Sequence, residues 1–285
     1  MSVQLTERNE PYSHWEYSDE NNQCRLRIVP ERGGLITEWL SNGREVLYFD
    51  LDRFQQTVKS VRGGMPILFP ICGDLPRSIL RLPQGEFSLN QHGFARDAIW
   101  EINLLNDHKG FSLTMNDSPQ TIASYPYFFS LAIEVRPSKN TLEIKSIVHN
   151  RGEENMPFSF GIHPYFKVTD LTEVSIAGLP DICFNHLQKE ESLTSKQIEK
   201  LSEGVDFLSN GKGPFYLKDL LTGTTIEMKY LYPFNNVVVW TDPPRNMVCL
   251  EPWTSPRNSL NSGEQTLFLN PREYKELICT FLVSQ

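Results

Sequence analysis

Short runs of apolar or alternating residues, each closed by turn residues, recur along this whole chain, and almost nothing carries a helical period. Thr141-Leu142-Glu143-Ile144-Lys145-Ser146-Ile147-Val148-His149 alternates polar and apolar positions nearly throughout. A period of two puts the apolar side chains on one face, as a half-buried strand requires. Comparable runs cover residues 24–29, 35–40, 111–115, 128–135, 174–176, 225–230, 237–240 and 277–283. Between them lie segments such as Glu31-Arg32-Gly33-Gly34, Ser41-Asn42-Gly43 and Asn150-Arg151-Gly152, which read as hairpin or inter-strand turns. Only 195–202 has the composition of a short helix. The polar stretch 181–212 reads as a surface excursion, and 75–89 as an ordered loop crossing a sheet face. The strand–helix alternation of a parallel α/β sheet is missing. The expected class is therefore all-β, a large sandwich or barrel. No linker divides the chain, so residues 1–285 are read as one domain.

Charge and cysteine usage narrow the functions. The 27 Lys and Arg against 35 Asp and Glu leave a formal net charge of -8. An acidic surface repels phosphate backbones, which argues against a nucleic-acid partner. One local cationic pocket for an anionic ligand remains compatible with that balance. The five cysteines, Cys24, Cys72, Cys183, Cys249 and Cys279, form no C-x-x-C pair. Reduced thiols are the preferred reading over a dispersed zinc set or a disulfide framework. The start MSVQLTERNE lacks a basic-then-apolar leader, and no apolar run reaches bilayer length. A cytoplasmic protein without a membrane partner is expected.

Four segments carry candidate chemistry. His92 stands in Asn90-Gln91-His92-Gly93-Phe94-Ala95-Arg96, where small and polar neighbours suit a binding wall; a satisfied turn histidine is the alternative. His163 stands in Gly161-Ile162-His163-Pro164-Tyr165-Phe166. Proline holds the residue before it extended, which sets the imidazole at a strand end beside aromatic rings. A buried histidine bonded to a backbone carbonyl is the competing reading. Glu251 interrupts the apolar run Met247-Val248-Cys249-Leu250 and precedes Pro252-Trp253. A glutamate so placed needs a partner: it is either an ion pair with Arg62 or Arg245, or a general base tuned by its pocket. Arg62 opens Arg62-Gly63-Gly64-Met65-Pro66, whose glycines aim a guanidinium at substrate hydroxyls but do not make a phosphate loop.

Taken in order, residues 62–70, 91–96, 161–166 and 249–253 resemble the aldose 1-epimerase (galactose mutarotase-like) superfamily, most closely its hexose-6-phosphate 1-epimerase branch. The resemblance implies a large antiparallel β-supersandwich with an open sugar cleft. It implies Glu251 as general base and His163 as general acid. It implies Arg62 and His92 as sugar-holding residues, with Asp206 the best match for a sugar-binding carboxylate between His163 and Glu251. Pro164 matches the free-sugar mutarotases, whereas 92–96 matches the sugar-phosphate branch. Arg96 and Lys59, converging with Arg62, would suit a phosphate.

The expected activity is exchange of the α and β anomers of an aldose or aldose 6-phosphate, through ring opening, rotation and reclosure. Ionised Glu251 would take the anomeric hydroxyl proton and protonated His163 would supply one to the ring oxygen. No metal or redox cofactor is required. The partner is a small sugar or sugar phosphate, and the protein a monomer or weak dimer. A non-catalytic sugar-binding protein is the main rival, since fold alone does not fix function. A glycoside hydrolase would need a second carboxylate across the bond, and a cupin-like metal enzyme a ligand spacing that the six histidines do not show.

Overall fold

The computed structural model describes residues 3–285. Period-two segments become strands wherever they occur. Thr141–Asn150 buries every second side chain, and so does its neighbour Phe129–Pro137. These two lie at the middle of an eight-stranded sheet. Its order runs Val174–Ala177, Phe215–Asp219, Thr225–Tyr230, Tyr274–Ser284, Thr141–Asn150, Phe129–Pro137, Phe111–Asn116 and Glu101–Leu104. A second large sheet runs from Glu190–Leu193 through Ile182–Asn185, Asp206–Asn210, Asn236–Trp240, Met247–Trp253 and Gly161–Ile162 to Ile67–Leu68. Tyr165–Lys167 also pairs with Met247–Trp253. A five-stranded sheet, Gln4–Arg8 to Arg44–Glu45, runs in sequence order. All ladders between named strands are antiparallel. Residues from all three sheets share one apolar cluster, in which Phe69, Phe111, Phe129, Phe158, Phe166 and Phe207 are fully buried. The all-β expectation holds.

One strand departs from alternation, and it positions the site. Met247–Trp253 is buried at all seven positions. Val248 and Leu250 join the main core. Cys249, Glu251 and Trp253 point from the opposite face, where they meet other groups. Its neighbour divides the same way: Val237 and Val239 face the core, Val238 and Trp240 the other side. A strand covered on both faces reads as a continuous apolar run, which is how 247–250 looks in the sequence.

Several local expectations change. Residues 75–89 are not a plain loop, because Ile79–Leu82 and Gly85–Ser88 pair as a hairpin. Residues 181–212 are only partly an excursion. Asp206–Asn210 is an inner strand of the second large sheet, with Phe207 fully buried. The short helix lies at Thr194–Ile198, at the start of the expected 195–202. All five cysteines are free and buried. Among the described residues, no helix is long and apolar enough to cross a membrane.

Candidate active site

A cavity of about 260 Å³ opens on the face of the second large sheet that the main core does not use. It is smaller than the roughly 300–1,000 Å³ of drug-sized sites, so it suits a small ligand. The strand Met247–Trp253 supplies Glu251 and Trp253 to its wall, Asn236–Trp240 supplies Val238 and Trp240, and Asp206–Asn210 supplies Asp206. Loops contribute Arg62, Gln91, His92, His163 and Arg257, and the 3-10 turn Ala95–Asp97 contributes Arg96. The six residues singled out in the sequence, Arg62, His92, Arg96, His163, Asp206 and Glu251, therefore face one hollow. Lys59 is exposed and not in that wall. Arg257 stands there instead.

Backbone geometry explains the loop contributions. Gly64 adopts φ +71°, and an added Cβ would lie 2.5 Å from the Ile36 carbonyl oxygen. Only glycine fits that turn, which folds back through Gly64 N–H to Tyr48 O at 2.8 Å and leaves Arg62 at the rim. Gly93 has φ +72°, and its Cβ would lie 2.1 Å from Phe69 O. Beside it His92 itself takes φ +67°, an uncommon conformation for a side-chain residue and one that recurs at functional sites. His92 receives the Gly73 N–H on Nδ1 at 3.1 Å. Its proton therefore sits on Nε2, and the ring is a hydrogen-bond donor there. Burial, with His163, Arg96 and Arg257 nearby, holds its pKa well below the ordinary histidine value, so the ring is neutral.

His163 and Glu251 meet at the centre. Nε2 of His163 lies 3.4 Å from Oε1 of Glu251. The imidazole stacks on Tyr165 at 4.7 Å between ring centroids, with the Trp240 ring edge-on at 5.8 Å. Glu251 is 1% exposed and its other oxygen, Oε2, accepts the Trp253 indole N–H at 3.1 Å. The ion pair with Arg62 or Arg245 does not form; both guanidiniums bind Asp242 instead, each at 3.0 Å. Burial raises the Glu251 pKa well above the usual carboxylate range, and the nearby Asp206 charge adds to it. Burial lowers that of His163 to about 3, helped by Arg96 and Arg62. Both effects favour the neutral forms. Both shifts run against the ionised Glu251 and protonated His163 that the sequence reading expects.

The rest of the wall is polar and cationic. Asp206 is held ionised against its own burial: His186 Nδ1 lies 2.6 Å from Oδ1, and Arg257 Nη2 donates to Oδ2 at 2.6 Å. Arg62 is shared with Asp242 and lies over Trp240, 5.2 Å from the ring centroid. Arg96 has the weakest pairing, a 3.8 Å approach to the exposed Asp97, and its Nε is buried without a hydrogen-bond partner. His163, Cys249 and Glu251 place donor atoms within 4.8 Å of one another, the sort of cluster that can ligate a metal. Burial disfavours the thiolate of Cys249 and the carboxylate of Glu251, the forms that ligate a metal, and the surrounding arginines oppose a dication.

Arg257 and Trp240 were missed in the sequence. Trp240 follows from strand alternation with Val238. Arg257 lies in Ser255-Pro256-Arg257-Asn258, a turn with no periodic signal, and only its nearness to Glu251 could have pointed to it. A larger cavity, about 460 Å³, lies elsewhere, floored by Val46, Leu217 and Ile226. It contains no histidine, and its Asp219 is already bound by Thr169 and turn amides.

Residues 16–280 match the model of the aldose 1-epimerase family. The chain belongs to that family. A solved relative, the Slr1438 protein from Synechocystis sp. PCC 6803, is 33% identical, covers 95% of both chains and superposes with a TM-score of 0.91. A galactose mutarotase-like protein from Clostridium acetobutylicum, at 16% identity, shares the fold with a TM-score of 0.83 over 100% of this chain and 99% of its own. A protein of Cenchrus ciliaris that carries the provisional name glucose-6-phosphate 1-epimerase is 30% identical over 180 residues. That match covers 58% of this chain and 50% of the relative's length. The family match encloses every wall residue named above.

Proposed function

We propose that the chain interconverts the α and β anomers of an aldose, and that its preferred substrate is an aldose 6-phosphate. The observation that carries this reading is the His163–Glu251 pair, 3.4 Å apart in the wall of a monosaccharide-sized cavity with arginines at its rim. Ring opening removes a proton from the anomeric hydroxyl and adds one to the ring oxygen. The pair needs one proton between its two members to do both. Glu251 acts as the base and His163 as the acid once the resident proton has crossed from carboxyl to imidazole. The aldehyde then turns about its bond to the next carbon. Closure on the other face runs the transfers in reverse, so the pair ends as it began. Neutral His92 donates to a substrate oxygen, and Arg62 and Asp206 hold hydroxyls.

Charge accounting supports a phosphorylated substrate. Arg257 is neutralised by two carboxylates and Arg62 by one that it shares with Arg245. Arg96 is nearly unopposed and has a buried N–H to offer. An anion seated on Arg96 and Arg62 would also cancel the two charges that hold His163 down, and so favour the protonated imidazole that the reaction uses. The names of the curated relatives point the same way.

Saturation-transfer NMR on glucose, galactose and glucose 6-phosphate at equal enzyme tests the proposal. Glucose 6-phosphate should exchange fastest, and His163→Ala should reduce exchange by roughly 10²–10⁴-fold. Exchange at the uncatalysed rate with all three sugars, despite saturable binding, would favour a sugar-binding protein instead.

A further inference from the structure

Arg257 ties together two walls of the cavity that are far apart in sequence. One guanidinium nitrogen, Nη2, donates to Asp206 Oδ2 at 2.6 Å. The other, Nη1, donates to Asp74 Oδ1 at 3.0 Å. The aliphatic stem lies directly on Gly73, where a Cβ would come 2.3 Å from the Arg257 Cγ. Gly73 is in turn joined to His92 twice. Its carbonyl accepts the His92 backbone N–H at 2.6 Å, and its own N–H donates to His92 Nδ1 at 3.1 Å.

We infer that Arg257 is a positioning residue: by clamping Asp206 to the Gly73-Asp74 turn it fixes His92 as an Nε2–H donor to the substrate. Both of its terminal nitrogens are committed to carboxylates, and its buried Nε has no hydrogen-bond partner. Its reach, not its charge, is what the clamp requires, because a guanidinium presents two separate edges to two carboxylates and an ammonium does not. Gly73 has no side chain because the Arg257 stem occupies that space. The orientation of a histidine through the hydrogen bond on its other nitrogen is a common device at active sites. Here the bond comes from a backbone amide, and Arg257 holds that amide.

The role assigned to His92 rests on the anomer-exchange reading, but its tautomer can be read without any sugar. In ¹⁵N-histidine-labelled protein, parental His92 should show protonated Nε2 and unprotonated Nδ1. Arg257→Met keeps the stem on Gly73 and cuts both ion pairs. Arg257→Lys keeps the charge and can reach only one carboxylate. Both should mix the two tautomers and lower kcat by about 10- to 100-fold, as small misplacements near a reacting centre do. Asp74 is half-exposed, so Asp74→Asn should fold, and it should shift the same resonances in the same direction by less. Parental His92 resonances in Arg257→Met or, should that variant not fold, in Asp74→Asn would overturn the inference. Full recovery of turnover by Arg257→Lys would overturn it too, by showing that charge alone is needed. If the parental protein exchanges no anomers, the functional reading falls while the His92 spectra still decide this one.

Discussion

At the scale of single residues, the two central groups are pushed toward neutrality by the same burial, with opposite consequences for pH. Glu251 is raised and His163 is lowered to about 3. Below about pH 3 the imidazole gains a second proton and no base remains. Above the raised pKa of Glu251 the last proton leaves and no acid remains. Activity should therefore follow a broad bell, its acid limb set by His163 and its basic limb by Glu251, the reverse of what two exposed groups would give. A kcat/KM profile across pH checks it, since that ratio reports the free enzyme. Stability carries the matching sign. Between the ordinary carboxylate pKa and the raised one, the unfolded chain ionises Glu251 and the folded chain does not. Stability is thus lost as pH rises through that window. Glu251→Gln removes this slope and keeps the shape. It should all but abolish exchange, yet gain on the order of 1 kcal/mol at neutral pH, or about 2–4 °C in Tm. A melting curve no higher than the parent's at pH 7–8 would show that the carboxyl is not held protonated.

At the scale of elements, the site hangs on one strand, Met247–Trp253, and the spacing along it matters. Residues two apart share a face, so Trp253 can reach back to Glu251 with its indole N–H at 3.1 Å. Trp253→Phe keeps a ring on that face and removes the one donor. The bond favours the ionised carboxylate, so its loss should move the basic limb of the pH profile further up and lower kcat several-fold. An unmoved limb would show that the bond has no part in setting Glu251. This strand also shows how far the sequence could be read. Its apolar run signalled a strand covered on both sides, and the lone Glu251 within it signalled a site. Alternation disclosed Thr141–Asn150 within one residue of its end. Other features left no periodic trace. Asp206–Asn210 sits among polar neighbours, because one of its faces lines a wet cavity, and it was read as surface. The 79–88 hairpin has only four residues in each strand and turns at Pro83-Gln84, too short a run to show its alternation. The location of the shared proton depends on desolvation, which exists only once the sheet and loops have closed over Glu251.

At the scale of the whole molecule, a net charge of -8 surrounds a cavity whose wall holds three arginines. Long-range repulsion of an anionic sugar and its local capture are thus separate effects, and salt screens the first more than the second. The local effect reaches the chemistry through His163. Arg96 and Arg62 both disfavour its protonated form, after burial itself. Inorganic phosphate bound at those two guanidiniums should raise the His163 titration midpoint by roughly one unit or more, as a new charge within a few ångströms does. Histidine ¹⁵N shifts followed against pH, with and without saturating phosphate, measure this directly. Arg96→Gln supplies the control, with an opposite signature. It should raise the midpoint in the absence of phosphate, because a repelling charge is gone, and it should blunt the further rise on adding phosphate. A midpoint that ignores phosphate in the parent while phosphate demonstrably binds would place the anion away from Arg96. The phosphate of the substrate would then serve affinity alone. A midpoint that rises would mean that the substrate, by binding, moves its acid catalyst toward the charge state that ring opening uses, and a free sugar, lacking that anion, would turn over more slowly even at saturation.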